Sequence, residues 1–116
     1  MRPPFRVLGC DVAGTVEEVG RKVTRFRPGD DVFGDISGSG WGGFAEYACA
    51  RENVMAFKSP KMSFEQAAAT PQAAVLALQG LRDKGNVRSG QRILINGAGG
   101  GVGTFAVQIA KSIGSE

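Results

Sequence analysis

The run Gly97-Ala98-Gly99-Gly100-Gly101-Val102-Gly103 separates two stretches of different character. Before it, Arg92-Ile93-Leu94-Ile95-Asn96 is short and mostly apolar, as expected of a parallel strand covered on both faces. After it, Thr104 to Ile113 carries Phe105, Val107, Ile109 and Ile113 with Lys111 opposite, which predicts an amphipathic helix. A glycine turn in that position offers backbone N–H groups and the positive end of a helix to an anion. The same glycines would also serve a turn that needs only positive φ angles. The strand before the turn and the helix after it favour the anion-binding reading.

Aligned on its last glycine, the run reads Ala98-x-Gly100-x-x-Gly103, with alanine at the first position of the dinucleotide fingerprint. Gly100 then allows close approach of a pyrophosphate, and Gly103 lets the helix pack on the strand. The residues expected to meet the pyrophosphate through backbone amides are Gly100, Gly101, Val102 and Gly103. The run is not a Walker loop, because no lysine precedes Thr104. The side chain that reads the adenosine ribose is expected roughly 20 residues past the turn, which falls beyond Glu116. One β-α unit is present, and a lone parallel strand makes no sheet.

Composition narrows the function classes. The chain has 116 residues, 42% hydrophobic and 22% charged, which suits one modest core and not disorder. Its net charge is +3, but the 14 basic residues are scattered, which argues against a nucleic-acid surface. No apolar run approaches the roughly 20 residues of a membrane span. Met1 to Arg6 lacks the apolar core of a secretory signal. Cys10 and Cys49 are too few for a disulfide scaffold and read as reduced thiols, so a cytoplasmic location is expected. Histidine is absent, which removes Ser-His-Asp and Cys-His catalysis and every imidazole metal site.

The first half reads as β. Val12 to Val19, Asp31 to Ile36, Phe44 to Cys49 and Val54 to Phe57 are expected strands. Phe26-Arg27-Pro28-Gly29-Asp30 is a turn, and the glycine-rich residues 37–43 form an irregular loop. Such short strands and tight turns suggest part of a barrel or sandwich. Ser63 and Gln66 form a capping box that opens a helix over 63–69. Thr70 and Pro71 open a second one over 71–84. Asp30 and Asp31 read as turn stabilisers, and Trp41 and Tyr47 as core or rim aromatics. Glu17 and Glu18 face opposite ways on a strand and make no carboxylate pair.

The order of these segments resembles the medium-chain dehydrogenase/reductase superfamily, and most of all its zinc-independent quinone oxidoreductase branch. The resemblance is carried by Leu8 to Gly20, Phe26 to Gly34, Gly42 to Tyr47, Ser63 to Ala68, Gly97 to Gly103 and Ala106 to Lys111. It implies an α/β composite: a partial GroES-like β domain followed by the first β-α unit of a Rossmann domain. Residues 1–62 would be the later part of the GroES-like domain, 63–90 the connecting helices, and 91–116 the start of the nucleotide-binding domain. It also implies NADPH as cofactor, with NADH not excluded, and no zinc. A small-molecule substrate and a homo-oligomeric parent protein are implied too, with no nucleic-acid or membrane partner.

Zinc-dependent members carry Gly-His-Glu where this chain has Gly9-Cys10-Asp11, so the histidine ligand is replaced by Cys10. A thiolate there would serve a zinc-type alcohol dehydrogenase; the plainer reading is a small buried residue. The relatives' Thr-Ala-Tyr is replaced by Leu76-Ala77-Leu78, so Leu76 receives no binding role. The expected activity of the parent protein is hydride transfer to a quinone or an activated double bond. The alternative is a truncated piece that self-associates through unpaired strand edges without catalysing anything.

Overall fold

The computed structural model describes residues 6–116. Met1 to Phe5, on which the reading against a signal sequence rests, lie outside the described residues. The chain forms two compact units, Met1–Pro71 and Gln72–Glu116.

Among the described residues, the first unit holds an open three-stranded antiparallel sheet in the order β1-β2-β3. The strands are β1 (Asp11–Thr15), β2 (Asp31–Asp35) and β3 (Met55–Phe57). Pairing sets Val12 opposite Gly34 and Val32 opposite Phe57. Alternation decides the faces: Val32 and Gly34 are buried, Asp31, Phe33 and Asp35 half-buried. Ile36, one step past β2, is fully enclosed. Phe26 is buried too, its ring 4.8 Å from that of Phe57.

The Pro28-Gly29 turn ends in a bulge. Val16 N–H donates to Asp30 O at 2.8 Å, and Gly29 N–H donates to Val16 O at 2.8 Å. Two residues thus oppose one, and Gly29 takes φ +92° as the bulge requires. Asp30 acts as a turn stabiliser, its carboxylate accepting from Arg27 N–H at 2.9 Å. A second pin is Glu52, whose carboxylate accepts from Thr24 N–H at 2.8 Å and Arg25 N–H at 3.1 Å. Those amides, Arg25's first, hold its carboxyl below the usual glutamate range.

Lys58 joins the sheet to α1 (Phe64–Ala68). Its ammonium lies 3.6 Å from Asp31 Oδ2, donates to Met62 O at 3.0 Å and sits 4.8 Å from the Phe64 ring centre. Thr15 Oγ1 donates to the other Asp31 oxygen at 2.9 Å, so the network reaches β1. The capping box is present: Gln66 N–H donates to Ser63 Oγ and Ser63 N–H donates to Gln66 Oε1. Ala67 is fully buried.

Phe44 to Cys49 is not a strand. Its entry is tied down by Gly43 N–H to Gly9 O at 2.8 Å and Phe44 N–H to Leu8 O at 2.9 Å. Beyond that, residues 45–50 form no backbone hydrogen bond among the described residues. The alternation is there, but among the described residues no strand pairs with it.

The second unit begins in α2 (Pro71–Leu78), which runs into a π-helical turn over Gln79–Lys84. The 71–84 helix is therefore present but changes hydrogen-bond pattern midway. α3 (Gly101–Ile113) closes the unit and starts inside the glycine run, earlier than Thr104. Its buried stripe is Gly103, Ala106 and Ala110, while Phe105, Val107, Ile109 and Ile113 are half-buried. Small residues win the contact face because they let the helix approach its neighbours most closely.

Arg92 to Asn96 is not assigned as a strand, and Leu94 is 95% exposed. A parallel ladder nonetheless begins there. Glu116 N–H donates to Gln91 O at 2.9 Å, and Ile93 N–H donates to Glu116 O at 2.7 Å. That alternation around Arg92 is the parallel pattern, and α3 lies between the two paired segments as the crossover of a β-α-β unit.

Candidate functional site

The glycine run places a helix end in the open. Gly97 takes φ +76°, and Gly100 N–H turns back to Gly97 O at 3.0 Å. Gly100 is the N-cap residue, extended at φ −83° and ψ 172°, and no side chain caps the helix. The helical ladder begins with Thr104 N–H donating to Gly100 O at 2.9 Å. The amides of Gly101, Val102 and Gly103 precede it, so they are the donors left at the helix start. Gly100 differs from the other three expected contacts: its own amide is used inside the turn.

Steric demands differ along the run. A Cβ on Gly103 would strike the Gly97 carbonyl oxygen and lie 2.6 Å from Ala98 Cα. A Cβ on Gly99 would meet nothing within 4 Å, and one on Gly100 only Gly97 O at 3.4 Å. Gly103 is thus required by packing, while Gly99 and Gly100 leave space over the helix start. Gly101 faces α2, where its Cβ would come 3.8 Å from that of Ala73. This cradle fits a pyrophosphate: three amide donors, a helix dipole and no capping side chain.

The charge balance of the unit agrees. Residues 72–116 carry Arg82, Lys84, Arg88, Arg92 and Lys111 against Asp83 and Glu116, so this unit holds the chain's whole net charge of +3. Leu76 and Val75 on α2 are each about half exposed and offer an apolar surface without polar contacts.

Cys10 has neighbours that spacing alone does not reveal. Ligand atoms of Cys10, Asp11 and Asp35 lie within 4.8 Å of one another. The register that sets Asp11 opposite Asp35 brings them together, and no local motif signals it. Burial pushes the Cys10 thiol up, and the Asp11 and Asp35 charges push it further. The thiol therefore stays protonated at neutral pH. Cys49 is exposed. At pH 8, Ellman's reagent is expected to label Cys49 first, with Cys10 slower by about tenfold. Equal rates at the two thiols, resolved by mass spectrometry, would contradict this picture of Cys10.

Tyr47 is 75% exposed and Trp41 lies at the surface of the glycine loop with φ +65°. Glu17 and Glu18 are exposed. No helix among the described residues is long and apolar enough to cross a membrane.

Comparison with known proteins places these features in a wider set. Residues 1–61 match the alcohol dehydrogenase GroES-like domain family. The chain is 45% identical over 110 residues to a chloroplastic quinone-oxidoreductase homolog of Spinacia oleracea, covering 90% of this chain and 33% of that protein. An alcohol dehydrogenase superfamily protein of Novosphingobium aromaticivorans superposes with TM-score 0.88 at 43% identity, over 93% of this chain and 33% of that one. The Escherichia coli quinone oxidoreductase, solved in complex with NADPH, superposes with TM-score 0.85 at 30% identity, over 94% of this chain and 33% of that one. The chain spans about one third of the length of these relatives.

Proposed function

The chain belongs to the medium-chain dehydrogenase/reductase superfamily, in its zinc-independent quinone-oxidoreductase-like branch, and from that membership we propose that it carries the pyrophosphate end of an NAD(P)H site in an oxidoreductase. The cofactor proposed is NADPH, with NADH as the alternative. The reaction proposed for the whole protein is hydride transfer to a quinone or an activated double bond. The bound nicotinamide supplies the hydride chemistry.

This chain's own part is binding and orientation. Gly101, Val102 and Gly103 hold the pyrophosphate oxygens through their amides, and the α3 dipole favours the negative charge. Gly100 contributes the absence of a side chain, so the backbone can be approached closely. Gly103 keeps α3 against the turn that precedes it. The observation that carries the reading is this uncapped, glycine-rich helix start after a segment that pairs in parallel fashion.

Titration of the isotope-labelled chain with NADPH tests it by amide NMR. The largest shifts are expected at Gly101, Val102 and Gly103. Half-saturation is expected above the micromolar range, because the ribose-reading residue lies roughly 20 positions past the turn. Shifts that spare these three amides at millimolar NADPH would sink the proposal.

A further inference from the structure

Asparagine occurs at Asn53, Asn86 and Asn96, and the residue after each sets its reactivity. The side-chain amide carbon of an asparagine can be attacked by the backbone nitrogen of the next residue. A side chain on that next residue shields the nitrogen, most of all when it branches at Cβ. Asn53 precedes Val54, and Asn86 precedes Val87. Both valine amides are also engaged: Val54 N–H donates to Arg51 O at 3.2 Å, and Val87 N–H donates to Leu81 O at 3.0 Å. Asn96 precedes Gly97, which has no Cβ to shield its nitrogen. Asn96 and Gly97 are exposed to water, and Gly97 N–H makes no backbone hydrogen bond among the described residues.

Asn96 opens the glycine turn, whose contacts lie between residues 96 and 103. Gly97 takes φ +76°, and its carbonyl accepts from Gly100 N–H at 3.0 Å. Gly103 packs so closely on the turn that a Cβ there would strike the same carbonyl. The main chain at Gly97 therefore has no slack to take up a longer backbone before it. A charge gained at position 96 would enter the turn that leads directly into the start of α3.

We propose that Asn96-Gly97 is a self-modification site of the folded chain, where asparagine converts through a cyclic imide to aspartate and isoaspartate. The Gly97 nitrogen bonds to Asn96 Cγ and gives its proton to solvent base. The bond from Cγ to the side-chain nitrogen breaks, and that nitrogen leaves as ammonia. Nothing is oxidised or reduced. Water then opens the succinimide at either carbonyl. One opening leaves aspartate; the other routes the main chain through Cβ and leaves isoaspartate, longer by one methylene. Both products add a negative charge to the glycine turn, and isoaspartate also pushes Gly97 against Gly100 and Gly103. Both therefore weaken the hold of the Gly101, Val102 and Gly103 amides on an anion. That consequence rests on the pyrophosphate reading of the turn; the modification itself does not.

Ageing the folded 116-residue chain at pH 8 tests the proposal, with each asparagine followed in its own tryptic peptide by mass spectrometry. Asn96 is expected to convert at least about tenfold faster than Asn53 or Asn86. Conversion is expected to slow at pH 6, and isoaspartate to exceed aspartate. The variant Asn96→Gln, whose imide needs a larger ring, is expected to stay unconverted at that position. Equal rates at the three asparagines would overturn the proposal. So would conversion confined to the chain unfolded in urea, because the folded turn would then hold Asn96 away from the Gly97 nitrogen. Aspartate without isoaspartate would mean direct hydrolysis by water and would overturn it too. Should Asn96→Gln fail to fold, Asn53 and Asn86 in the unaltered chain still serve as controls. Fresh and converted chains are then titrated with NADPH. Half-saturation is expected to rise about two- to fivefold on conversion, as a charge of the wrong sign at a helix start would give. Unchanged affinity after full conversion would overturn the effect on the turn. Conversion of Asn96 in a chain that binds no NADPH would uphold the site and sink the cofactor reading instead.

Discussion

Gly103→Ala is expected to cost the Gln72–Glu116 unit about 2–3 kcal/mol. The added Cβ meets the Gly97 carbonyl oxygen and the Ala98 backbone. Backbone atoms in a tight turn cannot swing away as the end of a flexible side chain can. The start of α3 must shift or unwind, and the amides of Gly101, Val102 and Gly103 lose their common direction. Gly101→Ala is the internal control. Its Cβ meets only Ala73 Cβ at 3.8 Å, an ordinary contact, so the helix gains about 0.5–1 kcal/mol from the better helix former. Hydrogen exchange across α3 reads both variants. Faster exchange in Gly103→Ala with slower or unchanged exchange in Gly101→Ala is the expected pair. Equal behaviour of the two would mean that the packing of Gly103 does not set the helix start.

Ile36→Ala is expected to cost the other unit about 3–4 kcal/mol. Ile36 is the one large side chain with no exposure among the described residues. It also ties three segments by backbone: its N–H donates to Cys10 O at 2.7 Å, and its carbonyl accepts from Ser39 N–H at 2.8 Å. The backbone bonds survive the substitution, so the loss is a matter of cavity and transfer energy. The single tryptophan, Trp41, lies in the adjoining loop and reports unfolding of this unit alone. A urea midpoint shift with unchanged slope is expected. Val19→Ala, at a site 40% exposed, should move the midpoint by much less. A loss below about 1 kcal/mol for Ile36→Ala would mean that the sheet face collapses freely around the gap.

What was legible in advance was local. Ser63 and Gln66 sit three apart, and their reciprocal bonds close within one helical turn, so spacing alone predicts them. Pro28-Gly29 restricts the backbone at two adjacent residues, and the bulge follows from the positive φ that glycine allows. The glycine run leaves the start of α3 without side chains at Gly100, Gly101 and Gly103, Val102 being the exception. The family resemblance rests on short blocks of this kind, and the match over residues 1–61 spans the first three of them.

Other features needed neighbours distant in sequence. Phe44 to Cys49 alternates as a strand does, yet a strand exists only when another segment pairs with it. Arg92 to Asn96 is apolar enough for a buried strand, but among the described residues it ladders with Glu116 alone, and Leu94 stands exposed. The apolar periodicity of α3 pointed to its large residues, whereas close approach selected Gly103, Ala106 and Ala110. Asp35 joined Cys10 and Asp11 only through the register of two strands. The amino-acid sequence by itself determined the caps, the turns and the bare helix start, because those depend on φ, ψ and hydrogen bonds within a few residues. Only the tertiary structure decided which edges pair, which face is buried and which charges meet, because each of those is set by what another part of the chain brings to the same place.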